Sequence, residues 1–544
     1  MKLTLKQLTR FLLKHYAPIL LFIIILMAAF LRFHDLSTNP PALNQDEVVN
    51  GYDAYSIGHT LRDHHGEFLP RTLLSFDDTA SVALTYLTIP FVLLIGLTNE
   101  AVRMPIALAG VACVFLVYLL VYEISKNKRL ALLNAFVLAV SPWAITLSRV
   151  AVPPGIMPFF MLLLLWFFAR GIYRQKYTSW YLVGAGIAAT GLSYSYPASE
   201  VTTPVFVVGI CIIYLYKQWR KLATFLLSYA VCAIPLYYNF PKTSFQRYGA
   251  VKIPYHGMML LKAIAVRYKG YFGYNFYFGL NGTNVMMHVP GVGNLFSFLA
   301  IILILGGLLL LCKTYCATQN SKEWRKLLHR MDARLVIVIV FLLLLTPIPA
   351  AVSIDFDYVD RALLMLPLVG IIISLTVYFL IGEFSKLLSL QVGLSILFII
   401  GCLIALWNFE SVYNNQYPAI AAQAQFQYGL PEGVKYVVTR QNHYHKIIID
   451  SSANQPYIYY LFYSSYNPRK LDYREINIAN IESEPYHVPQ IGKYYFTSVT
   501  PAMLTGAKYL TSFSAYGHTW YTVYSQGSEL ILQKNYTPDN IYWD

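Results

Sequence analysis

Long apolar runs, separated by short basic or longer polar stretches, set the pattern of this chain. The first run, PILLFIIILMAAFL (Pro18–Leu31), follows Lys2, Lys6, Arg10 and Lys14. A basic start and an apolar run also describe a signal peptide. No small-x-small cleavage site ends this run and many more follow, so it reads as an uncleaved first span. The basic residues before it put the N-terminus in the cytoplasm and the next segment outside. If the second apolar stretch (Val82–Gly96) also crossed, Lys126, Lys128 and Arg129 would fall outside after the following span. That breaks the positive-inside rule. A helix lying in the interface, broken near Pro90, restores it. Further spans are expected near 101–122, 130–147, 155–171, 179–195, 200–216, 221–238, 294–312, 334–351, 361–381 and 388–408, about eleven with the first.

The expected architecture is therefore a polytopic α-helical membrane domain over 1–408 and an extracytoplasmic domain over 409–544. Outside the membrane lie a first loop (32–100), a second large loop (239–293), a short loop (352–360) and the tail. In the tail the pattern changes. EGVKYVVTR reads as the end of a helix, KIIID and KYYFTSV as strands, and TWYTVYS alternates with period two. About 135 residues suffice for one small α/β domain. It carries no Gly-rich phosphate loop, no metal-ligand cluster and no acid–histidine–serine set.

Composition agrees with the pattern: 57% hydrophobic, 16% aromatic and only 12% charged. A soluble protein of this size carries about twice that charged fraction. The formal net charge of +14 sits in short clusters between apolar runs, which argues for membrane orientation rather than nucleic-acid binding. All six cysteines fall in apolar segments or at their cytoplasmic ends, without a histidine cluster, so neither a disulfide framework nor a zinc site is expected.

One polar stretch carries candidate chemistry: NPPALNQDEVVNGYDAY, Asn39–Tyr55. Asn44 followed by Glu47 has capping-box spacing. Val48, Tyr52 and Tyr55 repeat at i, i+4, i+7, with Asn50 and Asp53 elsewhere on the wheel. Arg62 and His64 would fill a last turn, with Gly66 at C′. This predicts an amphipathic helix on the outer membrane face with Asp46 and Glu47 in its first turn. Acids there complement the helix dipole and need no other reason. An acid held at the bilayer surface can also serve as a general base. Both readings stand on the residues alone.

The ordered stretches Asn39–Pro70, Tyr86–Gly110, SPWAITLSRV (Ser141–Val150), GLSYSYPASE (Gly191–Glu200) and DYVDRALLMLPLVGI (Asp357–Ile371) resemble a known family. It is that of the polyprenyl-phosphate-sugar-dependent glycosyltransferases of the GT-C fold, including protein O-mannosyltransferases and lipid A aminoarabinose transferases. The tail stretches FQYGLPEGVKYVVT and QPYIYYLFYSSYNPRKL are similar to the outer domain of bacterial members.

The resemblance implies inverting transfer of a sugar from a polyprenyl phosphate to a protein, glycan or lipid acceptor. Asp46 would be the general base, and Glu47 would orient the acceptor or the neighbouring loop. Arg361 matches the family's phosphate-facing arginine, with snorkelling to the interface as the plain alternative. Arg149 is a further candidate for the donor phosphate, and Arg103 either contacts the donor or holds the interfacial helix. His65, Asp77, Asp78, Tyr194, Tyr196 and Asp357 are candidate substrate contacts. Many relatives carry a lysine in the stretch where this chain has Asp77 and Asp78, a departure that speaks against aminoarabinose donor chemistry. No cofactor is required beyond the lipid-linked donor, and a divalent metal is possible but not indicated. The alternatives are a lipid or sugar transporter or flippase, and a non-catalytic assembly protein. Against transport, ionisable residues inside the spans are few.

Overall fold

A computed structural model describes residues 5–75, 78–215, 217–238, 253–280, 287–315, 333–354, 359–384, 388–424, 426–453, 455–477 and 488–535. The helices used below are α1 (Leu5–Phe33), α2 (Gln45–Thr60), α3 (Ala83–Ile95), α4 (Asn99–Ser125), α5 (Lys128–Val140), α6 (Met157–Tyr173), α7 (Thr178–Ser193) and α8 (Pro197–Ile210). They continue with α9 (Trp219–Tyr237), α10 (Gly257–Gly270), α11 (Phe298–Tyr315), α12 (Ala333–Leu345), α13 (Met365–Phe384) and α14 (Leu388–Asn415). Helices stand at each expected span. Among the described residues, six segments are long and apolar enough to cross a bilayer: His15–Phe33, Asn99–Ser125, Pro153–Tyr173, Pro197–Leu215, Met365–Gly382 and Ser389–Asn415.

Local chemistry sets where these helices begin and end. Thr98 caps α4 by accepting from the Ala101 N–H, with Glu100 in the first turn. Lys126 ends the same helix in the left-handed region, and Asn127 immediately caps α5 by accepting from Arg129 and Leu130 N–H. Two residues thus reverse the chain. α4 packs on α1, α5 and α6, α7 on α6 and α9, and α13 on α5 and α11, around one continuous apolar core.

α3 differs from expectation in one respect. It runs unbroken from Ala83 to Ile95 with Pro90 inside it, forgoing only the one hydrogen bond that the missing Pro90 N–H would have made. At thirteen residues it is about 20 Å long, too short to span. A two-stranded hairpin, β1 (Thr72–Ser75) with β2 (Asp78–Ser81), precedes it.

The tail forms the expected α/β unit. A six-stranded sheet has the order β4-β5-β3-β8-β7-β6, built from β3 (Lys446–Asp450), β4 (Gln490–Ile491), β5 (Tyr494–Thr497), β6 (Lys508–Ala515), β7 (His518–Gln526) and β8 (Glu529–Lys534). The apolar KIIID strand lies inside it, parallel to β5 and β8 and buried from Ile447 to Asp450, as a continuous apolar run requires. Helices α15 (Leu430–Thr439) and α16 (Pro456–Tyr463) pack against each other, and α16 also lies on α2. A single apolar core joins Val48, Val49 and Tyr52 of α2 to Ile458, Leu461 and Phe462 of α16 and to Val523 and Leu532 of the sheet. The boundary expected at 408 is thus crossed by shared packing.

Candidate active site

α2 begins as its spacing predicts. Asn44 is extended, its Oδ1 accepts from the Glu47 N–H at 3.0 Å, and Glu47 Oε2 accepts from the Asn44 N–H at 3.1 Å. Successive helical residues diverge by about 100°. Asp46 therefore points outward and is exposed, while Glu47 is completely buried.

The rest of α2 corrects the expectation. Residues from Glu47 to Ala54 are buried, so the helix is wedged between bundle and tail domain rather than lying on the membrane face. Its end also differs. Leu61 caps it in the left-handed region at φ 59, so Arg62 and His64 lie beyond the last turn, and Gly66 takes φ +92 in the following turn. The tail supplies the cover for α2. Tyr52 donates to Tyr466 O at 3.1 Å, and Tyr459 donates to Leu43 O at 3.3 Å. A Cβ at Gly51 would stand 2.6 Å from both Phe462 and Val102, which is why this position has no side chain.

Glu47 is a clamp. Its carboxylate accepts from Arg103 Nε at 2.8 Å and Nη2 at 3.0 Å, and Oε1 also accepts from the Ala151 N–H at 2.9 Å. Arg103 is equally buried and donates further to Leu36 O, Pro40 O and Ala42 O. Arg149 donates to Tyr413 Oη at 3.1 Å and to the carbonyls of Leu31, His34 and Asn39. Arg32, which the pattern did not single out, donates to Ala28, Leu138 and Ala139 carbonyls. Arg103 and Arg149 thus hold carbonyls spread from Leu31 to Ala42, the stretch that leads into Asp46, while Arg32 ties α1 to the end of α5. Arg103, for which holding the structure and contacting the donor are both expected, and Arg149 direct these N–H groups to protein oxygens. Irregular backbone leaves its carbonyls without donors, and an arginine fork satisfies several at once.

A second cluster lies seven residues along α2. Asp53 and His64 are both fully buried, with Nδ1 to Oδ1 at 2.6 Å, and the same oxygen accepts from the His64 N–H at 2.9 Å. The Tyr457 hydroxyl of α16 lies 3.4 Å from His64 Nε2. Burial raises the Asp53 carboxyl to about 7 and lowers His64 to about 4. Asp63 beside them is also raised, by burial and then by the Asp53 charge, while its Oδ1 accepts from the His65 and Glu67 N–H groups. His65 is lowered, by burial and then by His64, and its Nδ1 meets Asn477 Oδ1 of the tail at 2.7 Å. His65 is therefore a joint between loop and tail. The available signal for this pair was an acid, Asp53, on a helix with Gly51 and Ala54 beside it, since an acid on a buried face requires a partner.

Other expected residues are distributed around the same end of the bundle. Arg361 is half-buried and donates to Ser353 Oγ. Tyr194 is half-buried, close enough to Arg71 for that charge to act on its phenol, and its carbonyl accepts from the Ala83 N–H at the start of α3. Tyr196 is buried at the N-cap of α8. Asp78 sits in β2 opposite Ser75, while Asp77 and Asp357 lie outside the described residues. No group of three or more His, Cys, Asp or Glu among the described residues could hold a metal ion.

Comparison with solved structures gives the class. The archaeal oligosaccharyltransferase AglB of Archaeoglobus fulgidus, in complex with an inhibitory peptide and a dolichol-phosphate, matches with TM-score 0.50 at 14% identity, over 83% of this chain and 64% of that one. ArnT of Cupriavidus metallidurans, bound to undecaprenyl phosphate, matches with TM-score 0.50 at 11% identity, over 82% and 84%. The protein is a multi-pass helical membrane protein with the GT-C fold. Within that class, residues 22–248 match the model of the dolichyl-phosphate-mannose-protein mannosyltransferase family. Among curated proteins, the chain is 25% identical over 226 residues to the mannosyltransferase-named YkcB of Bacillus subtilis, covering 40% of this chain and 30% of that protein. It is 27% identical over 215 residues to YycA of the same organism, covering 38% and 29%. The matched region spans under a third of the length of these relatives.

Proposed function

We propose that the protein is an inverting glycosyltransferase that moves a sugar, with mannose the first candidate, from a polyprenyl phosphate to an acceptor. The extracytoplasmic face would be the site, with the N-terminus in the cytoplasm and the tail domain outside. The observation that carries this reading is the pairing at the start of α2: Asp46 exposed, on a helix that Glu47 and Arg103 lock in place. A general base must be both accessible and positioned. Asp46 takes the proton from an acceptor hydroxyl as that oxygen bonds to the sugar's anomeric carbon. The bond from that carbon to the phosphate oxygen breaks, and the lipid phosphate leaves with the electron pair. Arg361, oriented by Ser353, would stabilise the charge developing on it. The GT-C fold and the mannosyltransferase family match support this chemistry, and the peptide bound to AglB makes a protein the first acceptor class to test.

The test incubates purified protein in nanodiscs with radiolabelled polyprenyl-phosphate sugars and follows label into soluble and protein fractions. Wild type should transfer label, and Asp46→Asn, which leaves the Glu47 clamp in place, should abolish transfer. Equal transfer by both would move the base elsewhere. No transfer from any donor would favour a transporter or an assembly protein.

A further inference from the structure

Helix α10, in the second outer loop, is apolar on both faces. Its inner face carries Leu260, Ala263, Ile264, Arg267 and Tyr268. Tyr268 donates to Leu344 O at the end of α12 at 2.8 Å, and Arg267 donates to the carbonyls of Ser353 and Ile354. Those contacts place α10 across the end of the bundle where α12 gives way to the segment bearing Arg361. Arg32 and Leu363 line one cavity there, so this is also the end from which α1 leads to Asp46.

Among the described residues nothing covers the opposite face. Met258, Met259, Leu261 and Val266 are 61–71% exposed, with Ala265 exposed among them. A helix facing water presents polar side chains outward, whereas one apolar all round lies in a core or in lipid. At fourteen residues α10 is about 21 Å long, short of the bilayer's hydrocarbon thickness. A helix of this kind belongs in the plane of the headgroups.

Charge completes the description. Residues 253–280 contain Lys262, Arg267 and Lys269 and no acid at all. Lys262 and Lys269 are seven residues apart and exposed, at the border of the outward face, where their stems can cover lipid while the ammonium groups reach headgroups. Tyr255, Phe272 and Tyr274, all exposed, flank the helix as aromatic residues do at an interface.

We infer that α10 is a membrane-surface helix whose outward face is seated in the outer leaflet, with Lys262 and Lys269 on anionic phospholipid headgroups. Its Arg267 contacts carry that anchorage to Ser353, the residue that also holds Arg361. A lipid surface is thus the third wall around the segment that presents Arg361, beside the bundle and the loop. The inference stands without the transferase reading, since it concerns where a helix lies and not what is transferred.

The test uses the full chain in nanodiscs of phosphatidylcholine alone, or of phosphatidylcholine with an equal amount of phosphatidylglycerol. An environment-sensitive fluorescent amino acid replaces Met259, Val266 or, as a water-facing control, Tyr509. The probes at Met259 and Val266 should emit to the blue of the control and be quenched by lipid-borne bromine. The anionic lipid should strengthen that quenching, and Lys262→Glu with Lys269→Glu should cancel the gain. Iodide quenching at Met259 and Val266 equal to that at Tyr509 overturns the membrane seat. Quenching that is indifferent to phosphatidylglycerol, or to the lysine changes, overturns the anionic partner. Hydrogen exchange of 257–270 in the unaltered chain repeats the comparison without substitution. Protection there should rise with phosphatidylglycerol, and no rise counts against the inference.

Discussion

α4 carries two ionic clusters at its two ends, about 30 Å apart, and they are built on opposite plans. Near its start, Arg103 is fully buried and binds Glu47 together with three backbone carbonyls. Near its end, buried Glu123 gathers Lys126, Arg170 and Arg174, of which Lys126 and Arg174 are half exposed. The difference follows from the backbone. At the second cluster regular helices satisfy their own carbonyls, so the cations turn to a carboxylate. At the first, residues 34–43 are not helical, and their carbonyls need donors. One cluster ties helix ends together, and the other holds an irregular segment in a single shape in front of Asp46.

Breaking the buried cluster should cost most. Arg103→Met leaves Glu47 buried and unpaired, which costs about 3–5 kcal/mol, so the melting temperature in detergent should drop sharply. Arg103→Met with Glu47→Gln should recover part of that loss. Gly51→Val forces a side chain against Phe462 and Val102, costing about 1–3 kcal/mol. Limited proteolysis should then release the tail domain faster.

The Asp53–His64 pair sharpens the comparison through pH. In the unfolded chain the two groups titrate near 3.8 and 6.5, and in the folded chain near 7 and 4. Between about 4 and 6.5 each state holds one proton on the pair, so the pair adds no pH slope to stability there. Asp53→Asn leaves only the lowered histidine, so stability should fall as pH drops from 6.5 toward 4. His64→Gln leaves only the raised carboxyl, so stability should fall as pH rises from 3.8 toward 7. Melting curves across that range read both slopes, and slopes of the same sign would refute the pairing. The smallest effect is expected at the other end of α4. Glu123→Gln leaves cations that are largely open to water, so it should lower the melting temperature less than Arg103→Met does, and salt should shrink the difference.

Much of this was legible in local pattern. Capping-box spacing gave the start of α2, and positive-inside reasoning excluded a crossing at Val82–Gly96, where the helix proves too short to span. KIIID, KYYFTSV and TWYTVYS gave strands that the sheet contains. What local pattern could not give was long-range pairing. The carbonyl partners of Arg103 lie 61 to 67 residues away, and those of Arg149 lie 110 to 118 away. No periodicity records that, so the backbone-holding partners of Arg103 and Arg149 cannot be read from the sequence. α2 differs from its local pattern for the same reason. Tyrosines and a phenylalanine some four hundred positions later cover it, so a helix whose pattern reads as amphipathic is buried from Glu47 to Ala54 while Asp46 in its first turn stays exposed.

That cover has a consequence for biosynthesis. Tyr459 and Leu43 are separated by 416 residues, and at roughly 5–20 residues per second the ribosome takes on the order of half a minute to pass from one to the other. Throughout that interval the helix bearing Asp46 has no lid, and Val48 and Tyr52 face whatever surrounds the nascent chain. Only when residues 456–463 arrive can α2 be sealed in place. A chain halted before that point would carry every helix of the bundle and still leave the Asp46 helix unfinished.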